Sequence, residues 1–315
     1  MISRSTLVGA LVVTELAILA AAGRAIGGGG PAYASGPTPG THTHFGMVFQ
    51  NDYRRRHDTT ATIDRTFAAG LTPHVVVDVR DVPVTVQTGT LPAVHVVGTV
   101  RRSGFRHAED GAITAVQTAD GVRVTAGDTS DVHGSFERTL KVTVPAGASV
   151  EIASGGAVQA SGLGGKLIAR VDDAIHVSNQ RGDVDVMTSS GDVELVDVQA
   201  NAIVAHSGEG KLKFTSVGAE HVDAHTKSGD IAAADLRAVD GALVTMDGAV
   251  SVIFAANSDA NVNLHTDDGS ITGAGAAADT SDSAETRTMR LGSARGSFTV
   301  STSSGTITVS QGAKV

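Results

Sequence analysis

Five side chains have the types and spacing to hold a metal ion. His221, Asp223 and His225 stand at i, i+2 and i+4, which puts them on one face of an extended strand. His206, His225 and His265 each lie a few residues before a turn glycine, so the three occupy equivalent places on neighbouring or near-neighbouring units. Imidazoles beside a carboxylate suit Zn²⁺, Ni²⁺ or Cu²⁺, or make a pH-sensitive surface. The competing reading is plain: polar fillers on a solvated strand face. His42 and His44 lie in a Gly/Pro-rich stretch where an ordered site is not expected.

Other constellations carry less. Asp183, Asp192, Asp230, Asp267 and Asp268 sit in turns and have the oxygen ligands that Ca²⁺ takes. No turn has the dense, regular Asp spacing of a dedicated calcium loop, and Asp beside Gly is ordinary turn chemistry. Arg181-Gly182-Asp183 spells an integrin-type tripeptide, but a Gly-Asp turn is due there from the surrounding pattern. Arg54-Arg55-Arg56-His57 is the one basic cluster, suited to anionic lipid or to plain solvation. No serine stands in a nucleophile-elbow setting, and no glycine-rich stretch opens a helix as a phosphate loop does. No catalytic residues and no cofactor are expected.

Composition narrows the class. The 315 residues carry a net charge of −9, no cysteine, no tryptophan, 3% aromatics and 38 glycines. The acidic balance argues against nucleic acid. Missing cysteine removes disulfides, thiolate metal sites and lipidated cysteine together. Few large side chains and many Val, Thr and Gly fit short strands separated by tight turns.

Residues 1–34 read as a signal peptide or an N-terminal membrane anchor. Arg4 precedes an apolar run from Leu7 to Ala22, short for a spanning helix, with small-x-small sites at Ala20-Ala21-Ala22 and Ala32-Tyr33-Ala34. Residues 35–62, following Gly27-Gly28-Gly29-Gly30, read as a flexible linker. The chain is therefore expected to be exported: periplasmic, cell-surface or secreted.

Residues 63–315 must position whatever chemistry exists. From about Val150 a short alternating run, a polar turn closing on glycine and a further apolar run keep returning. The turn glycines Gly191, Gly208, Gly229, Gly248 and Gly269 are 17, 21, 19 and 21 residues apart, and Gly305 follows after 36. A period near 20 marks a repeat architecture. Val222 and Ala224 alternate with His221, Asp223 and His225, as in a half-buried strand. Two folds satisfy this: a parallel β-solenoid with one unit per coil, or an antiparallel sandwich or meander. Small inward residues and regular spacing favour the solenoid, with roughly eight coils over 150–310 stacked about 4.8 Å apart. Residues 63–149 alternate too, but irregularly, and suit an N-terminal cap. Phe214, Phe254 and Phe298 read as core plugs at coil corners.

The order of Asp120-Gly121-Val122-Arg123-Val124, the run Leu140–Val150 and the following Ser-Gly-Asp turns resembles the bacterial putative-adhesin family DUF4097, over roughly residues 70–312. The resemblance implies an exported or anchored β-solenoid and supplies no catalytic residues. The expected function is a non-enzymatic structural and interaction protein of the cell envelope, its ligand a protein or glycan, touching membrane only through an N-terminal anchor. The alternatives are a carbohydrate-active enzyme on a β-helix and a metal-responsive envelope sensor.

Overall fold

The computed structural model describes residues 43–44, 47–48, 58–103, 111–127, 135–273, 276–280 and 284–313. The segment read as signal or anchor, His42 and the basic cluster at 54–57 lie outside the described residues. Alternation of branched apolar and polar side chains yields 24 strands there, and no helix occurs among the described residues. In chain order they are β1 (Thr43–His44), β2 (Met47–Val48), β3 (Asp58–Ala68), β4 (His74–Val79), β5 (Val84–Gly89), β6 (Ala93–Ser103), β7 (Ile113–Gln117) and β8 (Gly121–Ala126). Then come β9 (Ser135–Pro145), β10 (Ser149–Ser154), β11 (Val158–Ser161), β12 (Leu167–Val171), β13 (Ile175–Ser178), β14 (Val184–Thr188), β15 (Val193–Ser207) and β16 (Leu212–Thr226). The last are β17 (Ile231–Asp247), β18 (Val250–Phe254), β19 (Ala260–Asp268), β20 (Ile271–Gly273), β21 (Ala276–Thr280), β22 (Glu285–Arg290), β23 (Gly296–Ser304) and β24 (Ile307–Gln311).

These strands build a parallel solenoid whose coils have two strands each, so the antiparallel alternative is set aside. One face stacks β8, β4, β10, β12, β14, the second halves of β15, β16 and β17, then β23 and β19. The other stacks β9, β5, β11, β13, the first halves of β15, β16 and β17, then β18, β24 and β20. Between Val150 and Val309 the first face holds eight parallel strands, the number the period implies. Antiparallel pairing is confined to the ends: β1, β2 and β6 on β3, β6 on β9 and β7 on β8, with β22 on β19 and β21 at the other end.

At both ends the order in space departs from the order in sequence. The β4–β5 coil sits between β8–β9 and β10–β11. The final β23–β24 coil sits between β17–β18 and β19–β20. Residues 63–149 thus supply two coils as well as antiparallel strands. The insertion also explains the 36-residue step before Gly305: the intervening chain makes the β21–β22 hairpin and returns inside.

The turn leading from the first face to the second has a sequence form, Ser/Thr-x-x-Gly, and a physical reason. Thr188, Ser207, Thr226, Thr245, Thr302 and Thr266 are buried. Their hydroxyls donate to a carbonyl of the preceding coil: Asp173, Gly191, Gly210, Gly229, Gly248 and Gly305 respectively. In three turns the same oxygen accepts the N–H of its own glycine, Gly191, Gly210 or Gly229. A buried backbone group left unpaired costs about 1–3 kcal/mol, so each hydroxyl secures two coils at once. The glycine is required by close approach: a Cβ on Gly229 would lie 2.0 Å from the Gly210 carbonyl oxygen. The stacked residue is therefore Gly210, not Gly208 as the turn spacing suggests, and the steps of 17 and 21 become a uniform register of 19.

The core is one column of small and branched side chains. Phe214, Phe254 and Phe298 are fully buried in it, and Phe254 meets Phe298 edge to face at 5.4 Å. Phe214 stacks in register between Leu195 and Ala233, a large residue offset by a small one in the next coil.

Candidate functional site

On the first face, outward positions align between coils because the parallel register is unbroken. One column reads Met187, His206, His225, Val244, Ser301, His265. The three histidines do share one position, but only His206 and His225 are neighbours. Their rings stand edge to face with centroids 5.2 Å apart. Asp223, two residues before His225 on the same face, places Oδ1 2.7 Å from His225 Nε2. One ligand atom from each of His206, Asp223 and His225 lies within 4.8 Å of the others, and all three residues are half-buried.

His221 and His265 fall outside this group. His221 Nδ1 faces Asp240 in the next coil at 3.3 Å. His265 bridges Asp267 and Thr286 through its two ring nitrogens. His74, His95 and His176 likewise face Glu151, Asp64 and Glu194. Among the described histidine side chains, His206 is the one without a carboxylate partner, and its Nε2 is buried with no hydrogen bond.

The turn carboxylates have other work. Asp183 accepts the N–H groups of Asn201 and Ala202, Asp192 that of Lys211, and Asp230 that of Ala249. Each clamps its turn to the following coil, which accounts for the acidic residue after the glycine without any calcium. Arg181-Gly182-Asp183 belongs to the same scheme. A Cβ on Gly182 would lie 2.2 Å from the Gly165 oxygen, and the Arg181 N–H donates to Leu163. The tripeptide is a coil junction, not a loop tip.

A second feature was not anticipated from the sequence. At the bend from the second face back to the first, Asn179, Asp197, Ser216 and Asp235 all have φ between 53° and 59°. Short polar side chains tolerate this left-handed conformation best, and the bend recurs in four successive coils. Beside it runs an open groove of about 670 Å³, lined by these four residues with Arg181, Gln199, Arg237 and Asn257. Arg237 reaches past one whole coil to donate to Gln199 Oε1 at 2.6 Å. Gly218 makes room: a Cβ there would lie 2.6 Å from that oxygen. The signal was present as polar residues 18 or 19 apart, hidden because they fall inside strand-like runs.

Charges also align across the second face. Glu194 lies between His176 and Lys213 in register. The Lys213 ammonium, 2.8 Å away, holds the Glu194 carboxyl below its ordinary range, with a further push from His176. Such half-exposed ladders contribute little stability but give the outer surface a repeating pattern.

No curated protein matches the chain. Three solved structures resemble it at low identity. A putative adhesin from Bacteroides fragilis is 13% identical, covering 79% of this chain and 97% of its own, with a TM-score of 0.49. A putative adhesin from Parabacteroides distasonis is 14% identical, covering 80% and 97%, with a TM-score of 0.48. A putative cell adhesion protein from Clostridium sporogenes is 10% identical, covering 82% and 100%, with a TM-score of 0.27. The decisive match is to a family model: with residues 73–310 matched from the first coil to the last, the chain belongs to the Toastrack DUF4097 family.

Proposed function

We propose that this protein is an exported, non-catalytic interaction module of the cell envelope, and that the groove along the left-handed bends is its contact surface. The observation that carries the reading is the repetition of polar side chains along the solenoid axis. Arg181, Arg237, Asp197, Asp235, Gln199, Asn179 and Asn257 line one open groove spanning several coils. An extended ligand, whether an envelope glycan or a protein segment, meets such a groove as a series of weak contacts that add through multivalency. The groove is lined by no aromatic side chain of the kind on which a glycoside hydrolase stacks sugar rings, although Asp197 and Asp235 both face it. No helix among the described residues is long and apolar enough to cross a membrane. Export rests on the N-terminal run of the sequence.

A screen of the full chain against envelope glycans and matrix proteins tests this reading, with an Arg181→Ala/Arg237→Ala double variant alongside. The expected result is a ligand whose affinity falls at least tenfold in the double variant. Polysaccharide turnover abolished by one carboxylate or histidine substitution would overturn it.

A further inference from the structure

We propose that His206, Asp223 and His225 form a binding site for a divalent transition-metal ion of the Zn²⁺, Ni²⁺ or Cu²⁺ type. The site stands apart from the groove and does not depend on the function proposed above. Three observations converge on it. The ligand atoms of the three residues lie within 4.8 Å of one another, so small side-chain adjustments bring them to the roughly 3.4 Å that separates tetrahedral donors at bonds of about 2.0–2.2 Å. The residues come from adjacent strands in parallel register, where β15 pairs with β16, so the backbone holds the three residues side by side before any ion arrives. Finally, His206 Nε2 is buried and unpartnered, although every other described histidine side chain faces a carboxylate.

The pairing of two imidazoles is itself informative. Without an ion, stacking His206 on His225 gains little, since neither ring satisfies the other's nitrogen in the edge-to-face arrangement. An ion supplies the missing partner to His206. It replaces the His225–Asp223 contact at 2.7 Å with two metal bonds. Two neutral nitrogens and one carboxylate form a borderline donor set that suits Zn²⁺, Ni²⁺ and Cu²⁺, whereas Ca²⁺ wants six or more oxygens. Three protein donors leave one tetrahedral position for water or for a group on a ligand.

Titration calorimetry of the metal-stripped full chain with ZnSO₄ tests the assignment, with NiSO₄, CuSO₄ and CaCl₂ as parallel arms. One equivalent of Zn²⁺ is expected to bind, and no Ca²⁺ at the same site. His206→Gln/His225→Gln should remove that equivalent, Asp223→Asn should weaken it about tenfold, and His221→Ala or His265→Ala should leave it unchanged. Copper adds an independent readout: electron paramagnetic resonance of the Cu²⁺ form should show coupling to two imidazole nitrogens, lost in the double variant. All three side chains point outward, so circular dichroism should be unchanged in these variants. Absence of Zn²⁺, Ni²⁺ and Cu²⁺ binding overturns the proposal, as does an equivalent that survives in a folded double variant.

Discussion

The middle coils and the end coils of this solenoid use the same parts in different orders. From β14 to β17, neighbours in sequence are neighbours in space, each coil pairing with the next at a register of 19. At the C-terminal end the last coil instead slides between two earlier ones, so Thr302 bonds Gly248 across 54 residues and Thr266 bonds Gly305 across 39. The turn chemistry is identical, a buried hydroxyl on a stacked glycine. The middle could in principle be lengthened or shortened a coil at a time. The ends could not, because each outer coil rests on a strand distant in sequence.

The largest effect should separate these two arrangements. Deleting residues 210–228 removes one full repeat and joins equivalent positions, leaving β15 to meet β17 in the register β16 now uses. The shortened protein should stay soluble and unfold cooperatively, with a melting temperature only a few degrees lower, since repeat stability is close to a sum of neighbour terms. Ending the chain at residue 295 removes a similar number of residues but takes out β23 and β24. It strips β19 and β20 of their parallel partners and exposes core around Val262, Leu264 and Leu243. Burial lost at Phe298, Val300, Ile307 and Val309 alone is on the order of 5 kcal/mol or more. Thermal melts and limited proteolysis should show a folded deletion and an open C-terminal region in the truncation. Equal tolerance of both would mean that the final coil is not interleaved.

A smaller test asks whether the inserted coil is as tightly held as a middle one. A Cβ at Gly229 would lie 2.0 Å from the Gly210 oxygen, and one at Gly305 would lie 2.1 Å from the Gly248 oxygen. Neither backbone oxygen has freedom to withdraw, so Gly229→Ala and Gly305→Ala should each cost about 2–4 kcal/mol in denaturant unfolding. A loosely appended C-terminal coil would make the Gly305 substitution nearly neutral. Gly70 is the control for crowding: its Cβ would meet nothing within 4 Å, so only its φ of 66° resists alanine, at about 1–2 kcal/mol.

What could be read from sequence follows the same division. Alternation and the near-20 period leave both a solenoid and an antiparallel meander open. Small inward residues and regular spacing favour the solenoid, with its eight coils and buried phenylalanines, because in the middle each strand's partner is one period away. The glycine at position 208 misled the count because the stacked residue is fixed by which hydroxyl precedes it by three, a constraint visible only once coils are superposed. The inserted end coils were not legible, since a 36-residue step says that something intervenes but not that the chain returns inside. The column of His206, His225 and His265 was legible from turn spacing. That only two of them touch was not, because β17 and the inserted β23 separate His265 from the others. The left-handed bends did leave a signal, Asn179, Asp197, Ser216 and Asp235 at steps of 18 or 19, but it was masked by the strand-like alternation around it.

The smallest expected effect concerns a carboxylate that ties the C-terminal hairpin to the outermost β19–β20 coil. Glu285 accepts the Ile271 N–H at 2.7 Å and is gripped by Arg287. The Ile271 N–H, then the Arg287 guanidinium, hold its carboxyl below the ordinary value of 4.5. A native pKa below the unfolded one means that Glu285 stabilises the fold at pH above the unfolded value. That contribution fades as acid protonates the native carboxylate. Between neutral pH and about pH 4.5 the contribution is intact; below that, the wild-type melting temperature should decline. Glu285→Gln should start lower at pH 7 and show a shallower decline in acid, because glutamine cannot be protonated there. Glu194→Gln in the middle coils should flatten the acid limb less, since its partners Lys213 and His176 are half-exposed side chains and solvent screens them. If the two substitutions change the acid limb equally, the buried backbone donor at Ile271 is not what distinguishes the end of the solenoid from its middle.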